Sequence, residues 1–156
     1  RPRARGQTGA RQGMSHVDTP KLKVLIADDA SVMRMLLKTM LQRLVRCQVV
    51  EAKDGPNAIK SAQDEQFDLV FLDVNMPHIN GLTVLDALRK SQEYRTTPIV
   101  LLTALGQEKY RERGMALGAT AYMLKPLREM ELVRVVQKVM APHLMGGGRR
   151  DGDGHG

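Results

Sequence analysis

The chain has 156 residues, 42% hydrophobic and 26% charged, a balance that suits one soluble globular domain. Its single cysteine, Cys47, excludes an internal disulfide and points to a reducing, cytoplasmic setting, and no apolar run approaches the length that spans a bilayer. The net charge of +7 suggests nucleic acid at first sight, but with no Trp and 3% aromatics there is little to build a base-stacking platform from.

Much of the excess charge sits in a tail. Residues 1–20 carry Arg1, Arg3, Arg5 and Arg11 against Asp18 and show no apolar periodicity, so a disordered basic tail is expected there. Residues 143–156 are Gly-rich, with Arg149 and Arg150 balanced by Asp151 and Asp153, and read as a second flexible tail. The folded body is expected over 21–142.

Within that body, apolar runs alternate with helical stripes. Lys23–Ala27 reads as a strand ending on Asp28 and Asp29. Met33, Leu36, Leu37, Met40, Leu41 and Leu44 then recur at helical spacing, with Asp29 or Ser31 as the cap. Gln48–Glu51 is a second strand, and Ala58, Ile59 and Ala62 mark a short helix preceded by Gly55 and Pro56. Leu69–Leu72 is a third run, ending on Asp73. A loop with Pro77 and Gly81 leads to a helix through Leu82, Leu85 and Leu88. Ile99–Leu102 ends on Thr103. Residues 107–117 form a weaker helix interrupted by Gly114, which either loosens that helix or lets it pack closely. Ala121–Leu124 ends on Lys125-Pro126, and Leu132, Val135, Val136, Val139 and Met140 make the last stripe.

Five near-continuous apolar strands alternating with five helices imply an α/β fold, a doubly wound parallel sheet with helices on both faces. Ligands bind such sheets at the carboxyl ends of the strands. Those ends here are Asp28 and Asp29, Asp73, Thr103 and Lys125, all expected on one edge. Packed carboxylates repel unless a cation joins them, and hard oxygen ligands with room for water suit Mg²⁺. Aspartate is a nucleophile toward phosphoryl groups, while an ammonium and a hydroxyl can hold phosphoryl oxygens. The pattern thus points to an Mg²⁺-dependent aspartyl-phosphate.

In these stretches the chain resembles the receiver domain of two-component response regulators. The resemblance runs over about residues 21–141 and rests on Val24-Leu25-Ile26-Ala27-Asp28-Asp29, on Leu72-Asp73-Val74-Asn75-Met76-Pro77 through Gly81, on Leu102-Thr103-Ala104 and on Lys125-Pro126. It implies a flavodoxin-like strand order 2-1-3-4-5. It further implies that Asp73 accepts a phosphoryl group from a histidine kinase or phosphotransfer protein. Asp29 and Asp73 would bind Mg²⁺ directly, Asp28 directly or through water, and the Asn75 backbone carbonyl would add a ligand. Thr103 and Lys125 would hold the phosphoryl group, beneath a pocket kept open by Ala104. Tyr122 falls at the aromatic switch position, and Pro126 at a cis-proline. Taken alone, Tyr122 reads as a packing residue, Asn75 as a turn former and His78 as a solvated loop residue.

Further expectations follow from the resemblance. Catalysis would be limited to the protein's own phosphorylation and dephosphorylation. Leu105 stands where the chemotaxis regulator has an acid that helps water attack, so a longer-lived phosphoryl group is expected. Kinase recognition would lie along the first helix, at Met33, Arg34 and Leu37. The stretch after Met140 is too short for a DNA-binding output domain. A single-domain regulator acting on a downstream protein in chemotaxis or a phosphorelay is therefore expected, as a monomer or a phosphorylation-dependent dimer, without DNA or membrane insertion. A truncated longer regulator would read the same. The alternatives are a receiver-fold binding module without phosphotransfer, and an aspartyl-phosphate phosphatase of the haloacid-dehalogenase type. The phosphatase is disfavoured because the acidic pair comes first in the chain and no substrate cap is present.

Overall fold

Apolar runs this continuous are stable as strands only when both sheet faces are covered, and the fold meets that requirement. The computed structural model describes residues 21–104 and 106–153. Its five strands are β1 (Leu22–Ala27), β2 (Cys47–Ala52), β3 (Leu69–Asp73), β4 (Ile99–Thr103) and β5 (Ala121–Leu124). They form one sheet in the order β2-β1-β3-β4-β5, with every pairing parallel, as expected. The register sets Ala27 beside Leu72, Asp73 beside Leu102 and Thr103 beside Leu124, so four strands finish on a common edge.

The connecting helices are α1 (Ser31–Leu44), α2 (Gly55–Asp64), α3 (Gly81–Lys90), α4 (Glu108–Leu117) and α5 (Glu129–Asp153). Alternate residues of each strand feed two separate cores. Val24, Ile26, Phe71, Val100, Leu102 and Met123 pack under α1 and α5. On the other face, Leu25, Val70, Leu72 and Leu101 pack under α2 and α3, joined by Tyr110 and Leu117 of α4. This segregation is what a strand period of two residues produces when both faces are covered.

Local chemistry explains several boundaries. Asp54 caps α2 by accepting the Asn57 N–H, and Asn80 caps α3 by accepting the Thr83 N–H. Gly55 and Pro56 belong to the first turn of α2 rather than preceding it, a position where proline's missing N–H costs nothing. Gly114 settles into close packing: a Cβ there would overlap Leu101 Cδ1 and stand 3.3 Å from Leu82 Cδ2.

Other expectations need correction. Neither Asp29 nor Ser31 caps α1; the N-cap is Ala30, without a side-chain bond. The neighbouring carboxylates are engaged elsewhere: Asp28 Oδ1 accepts the Ala30 N–H at 2.9 Å, and Asp29 belongs to an acidic cluster. Leu36 belongs to the α1 stripe by spacing but is 41% exposed, because the flat sheet covers only the strip through Leu37, Met40 and Leu41. A short 3₁₀ turn at Gln92–Tyr94 was not expected. The helical backbone of α5 continues through Pro142 to Asp153, where a flexible segment was expected from 143. Proline's fixed φ suits a helix, and what it loses is a hydrogen bond. The N-terminal segment 1–20, expected to be disordered, and residues 154–156 lie outside the described residues.

Candidate functional site

Because β1 and β3 end side by side, the first acidic residues beyond them are neighbours. Asp28 is fully buried, Asp73 is 3% exposed and Asp29 is open to solvent. One carboxylate oxygen from each lies within 4.8 Å of the others. Lys125 reaches this cluster from the end of β5, held in place by its own N–H bond to the Thr103 carbonyl at 2.7 Å. Its Nζ stands 3.0 Å from Asp28 Oδ2 and 3.2 Å from Asp73 Oδ1. The Lys125-Pro126 peptide is cis, as the resemblance implies.

The electrostatics follow from this crowding. Burial, reinforced by the charge of Asp28, pushes the Asp73 carboxyl up to about 6 against the opposing pull of Lys125. For Lys125 burial favours the neutral amine, but the hydrogen bond to Asp28 and the charges of Asp73 and Asp28 together outweigh it and raise its pKa. Asp28 and Asp73 share the Lys125 ammonium and Asp29 adds a third carboxylate beside them, so acids outnumber the cation in the cluster.

The remaining candidates surround this centre. Thr103 is buried, and its Oγ1 lies 3.5 Å from the Met123 carbonyl, at the limit of hydrogen bonding, which leaves the hydroxyl almost uncommitted. Asn75 is exposed, and its backbone N–H donates to Asp73 Oδ1 at 3.3 Å. Tyr122 is half-buried on β5, away from the carboxylates. Its hydroxyl accepts a bond from Arg111 at 2.7 Å, and the same guanidinium lies 4.7 Å from its ring centroid. Beside it is a cavity of about 90 Å³ lined by Thr103, Ala104, Glu108, Arg111, Tyr122 and Leu124. His78 is exposed, at φ 69°, in the turn after Pro77. Leu105 lies outside the described residues.

Two positions named in the sequence reading, Arg34 and Gly81, have contacts at the site that it did not foresee. Arg34 donates to the Asp28 carbonyl at 2.7 Å and to Glu51 at 2.8 Å, fixing the first acid from α1. Gly81 lies against the backbone of Asp73: a Cβ there would collide with the Asp73 carbonyl oxygen, so only glycine fits. Glycine after the 74–80 loop was a signal for a close approach, but nothing in the chain said what approaches.

The surface of α1 also differs from expectation. Leu37 is buried and Arg34 is tied to Asp28 and Glu51, so neither is free to meet a partner; Met33 is half-buried against the core. The exposed apolar residues are Val32, Met35 and Leu36.

The donor set fits a small hard cation. Asp28 Oδ2 is buried with the Lys125 ammonium beside it at 3.0 Å, and the three acids offer only oxygen. Magnesium–oxygen distances of 2.0–2.1 Å put opposite ligands about 4.2 Å apart, so a spread within 4.8 Å needs only slight contraction.

A family model for the response regulator receiver domain matches residues 24–137. The chain belongs to the response regulator receiver family. It is 38% identical over 118 residues to the transcriptional regulatory protein CpxR of Escherichia coli, covering 76% of this chain and 49% of CpxR. The corresponding match to ResD of Bacillus subtilis is 34% over 122 residues, covering 78% of this chain and 49% of ResD. The receiver thus spans about half the length of these curated relatives. Among solved structures, the chemotaxis response regulator CheY4 of Vibrio cholerae is 34% identical, with a TM-score of 0.71 over 77% of this chain and 99% of CheY4. The receiver domain of the Pseudomonas aeruginosa sensor histidine kinase PA1611, solved with a magnesium ion coordinated in the active site cleft, is 27% identical; its TM-score is 0.71 over 78% of this chain and 99% of that one. No described helix is long and apolar enough to cross a membrane.

Proposed function

We propose that this receiver is a phosphorylation switch in which Asp73 accepts a phosphoryl group from a histidine kinase or phosphotransfer protein. The observation that carries the reading is the meeting of Lys125 with Asp28 and Asp73, at 3.0 and 3.2 Å, beside Asp29. An Asp73 oxygen attacks phosphorus, the phosphorus–nitrogen bond of the donor phosphohistidine breaks, and the imidazole leaves with its proton. Lys125 neutralises one phosphoryl oxygen, and the nearly uncommitted Thr103 hydroxyl donates to another. Asp29 and Asp73, with Asp28 directly or through water and the Asn75 carbonyl, would hold Mg²⁺. When bound, that ion offsets the charge of acids and phosphoryl group together. Water later cleaves the acyl phosphate and regenerates the carboxylate.

The exposed Val32, Met35 and Leu36 of α1, adjoining the acids, are the surface we assign to the phosphodonor. On the output side, phosphorylation draws Thr103 toward the phosphoryl group and Tyr122 inward, changing the face of α4 and β5 for a protein target. Coverage of nearly all of CheY4 supports a single-domain regulator of chemotaxis or phosphorelay type. Coverage of half of CpxR supports the receiver of a longer regulator.

The test is intact-mass measurement after incubation with acetyl phosphate and Mg²⁺. One phosphoryl group is expected on the wild type and none on Asp73→Asn or in EDTA. An unlabelled wild type overturns the reading in favour of a binding module without phosphotransfer. Labelling that survives in Asp73→Asn overturns the assignment of the acceptor.

A further inference from the structure

We propose that Arg111 is a positioning residue that holds Tyr122 against α4 and so sets how readily the site takes a phosphoryl group. The inference rests on the reading of Asp73 as acceptor and Tyr122 as the moving side chain, and it assigns a role to a residue that this reading does not use.

The geometry is specific. One guanidinium both donates to the Tyr122 hydroxyl at 2.7 Å and lies 4.7 Å from its ring centroid. Only a planar, delocalised cation can bond the phenol oxygen and cover the ring at once; a lysine ammonium can do one or the other. Arg111 is half-buried on α4, which strengthens both contacts relative to open solvent. Tyr122 and Arg111 together border the cavity of about 90 Å³, whose other walls are Thr103, Ala104, Glu108 and Leu124. A ring turning through that cavity toward Thr103 would move its hydroxyl and its face out of the position that Arg111 now holds.

Tyr122 thus stands in a position that the Arg111 contact favours, and the inward position beside Thr103 would lack that contact. A contact present in only one state shifts the equilibrium toward it. Coupling between sites is reciprocal: whatever Arg111 adds to the resting position of Tyr122 it subtracts from affinity for the phosphoryl group. A partly buried hydrogen bond from a charged donor plus a cation–π contact accounts for a change of about three- to tenfold.

The experiment uses the full chain with ring-¹³C-labelled tyrosine and compares wild type, Arg111→Met and Arg111→Lys. Tyr122 ring signals are read by NMR without phosphodonor, and Mg²⁺-dependent affinity for beryllofluoride, a phosphoryl mimic, is read by calorimetry. In Arg111→Met the Tyr122 signals are expected to move toward those of the beryllofluoride-bound wild type, and affinity to tighten about three- to tenfold. Arg111→Lys is expected to fall between, and confirms that α4 tolerates substitution. Unchanged Tyr122 signals, or unchanged affinity, overturn the proposal. So does equal tightening by Arg111→Met in a Tyr122→Ala background, because the effect then bypasses the ring. A wild type that binds no beryllofluoride fails the reading of the site itself and removes the basis of this one. That result is separate from the ring signals, which report on Arg111 and Tyr122 without any phosphoryl group.

Discussion

Replacing Lys125 by Met removes the only cation lying between two buried carboxylates among the described residues. The Nζ contacts are 3.0 and 3.2 Å, and Asp28 is fully buried while the Asp73 side chain is 4% exposed. At an effective dielectric of about 20, each contact near 3 Å has a gross Coulomb energy of about 5 kcal/mol, most of it offset by the desolvation of the three groups. Deleting one member of a buried pair typically leaves a net loss of about 3–5 kcal/mol, because the remaining charges stay buried without a partner. We expect the low end, about 3 kcal/mol, since Asp29 faces solvent and water can reach the rim. At about 2–4 °C per kcal/mol for a chain of this size, the melting temperature falls by about 6–12 °C. The loss also depends on pH. Asp73 already holds its proton up to about 6, and Lys125 is one of the influences lowering that value. Without Lys125 the Asp73 pKa rises further. A carboxyl whose folded pKa is raised destabilises the fold above that pKa, and the penalty is relieved as pH falls through it. The deficit of Lys125→Met is therefore expected to be largest at pH 8 and clearly smaller at pH 5.5. Urea unfolding followed by circular dichroism in EDTA at both pH values measures this. A loss below about 1 kcal/mol at pH 8, or the same loss at both pH values, refutes the reasoning.

Three further outcomes are expected. Gly114→Ala should destabilise by about 1–3 kcal/mol despite its gain in helix propensity, because the new methyl meets Leu101 and Leu82; a raised melting temperature contradicts the packing argument. Met35→Glu should slow phosphotransfer from a histidine kinase that labels the wild type, while labelling by acetyl phosphate stays unchanged. A parallel drop in both assays would mean the surface acts through the site and not through docking. Leu105→Glu should shorten the phosphoryl half-life several-fold by giving the attacking water an acceptor; decay no faster than wild type removes that idea.

The sheet and the residues at its edge were readable in the chain because buried parallel strands are written as uninterrupted apolar runs, whereas the strand order came only with the family resemblance. A polar residue directly after such a run has only one place to go. Asp73, Thr103 and Lys125 therefore marked their edge whatever the helix boundaries. What stayed hidden depended on partners distant in sequence. Arg34 looked like a surface residue until Glu51 and the Asp28 carbonyl were brought to it. Arg111 looked like one charge among several on α4, since nothing local ties it to Tyr122. Leu36 fitted a helical stripe, but spacing does not say how wide a strip the sheet covers. The α5 boundary was missed because the Gly-rich composition of 143–156 read as flexible, while the helical backbone runs on to Asp153.

The position of Lys125 has a consequence for how the protein comes into being. Residues 28, 29 and 73 leave the ribosome before residue 125, so for part of synthesis the acids must avoid one another without their counter-charge. The N–H of Lys125 then joins the Thr103 carbonyl only once β5 has taken its place beside β4. An incomplete or partly melted chain has acids but no assembled acceptor. On the proposed reading of Asp73 as acceptor, competence to take a phosphoryl group thus arrives only with β5.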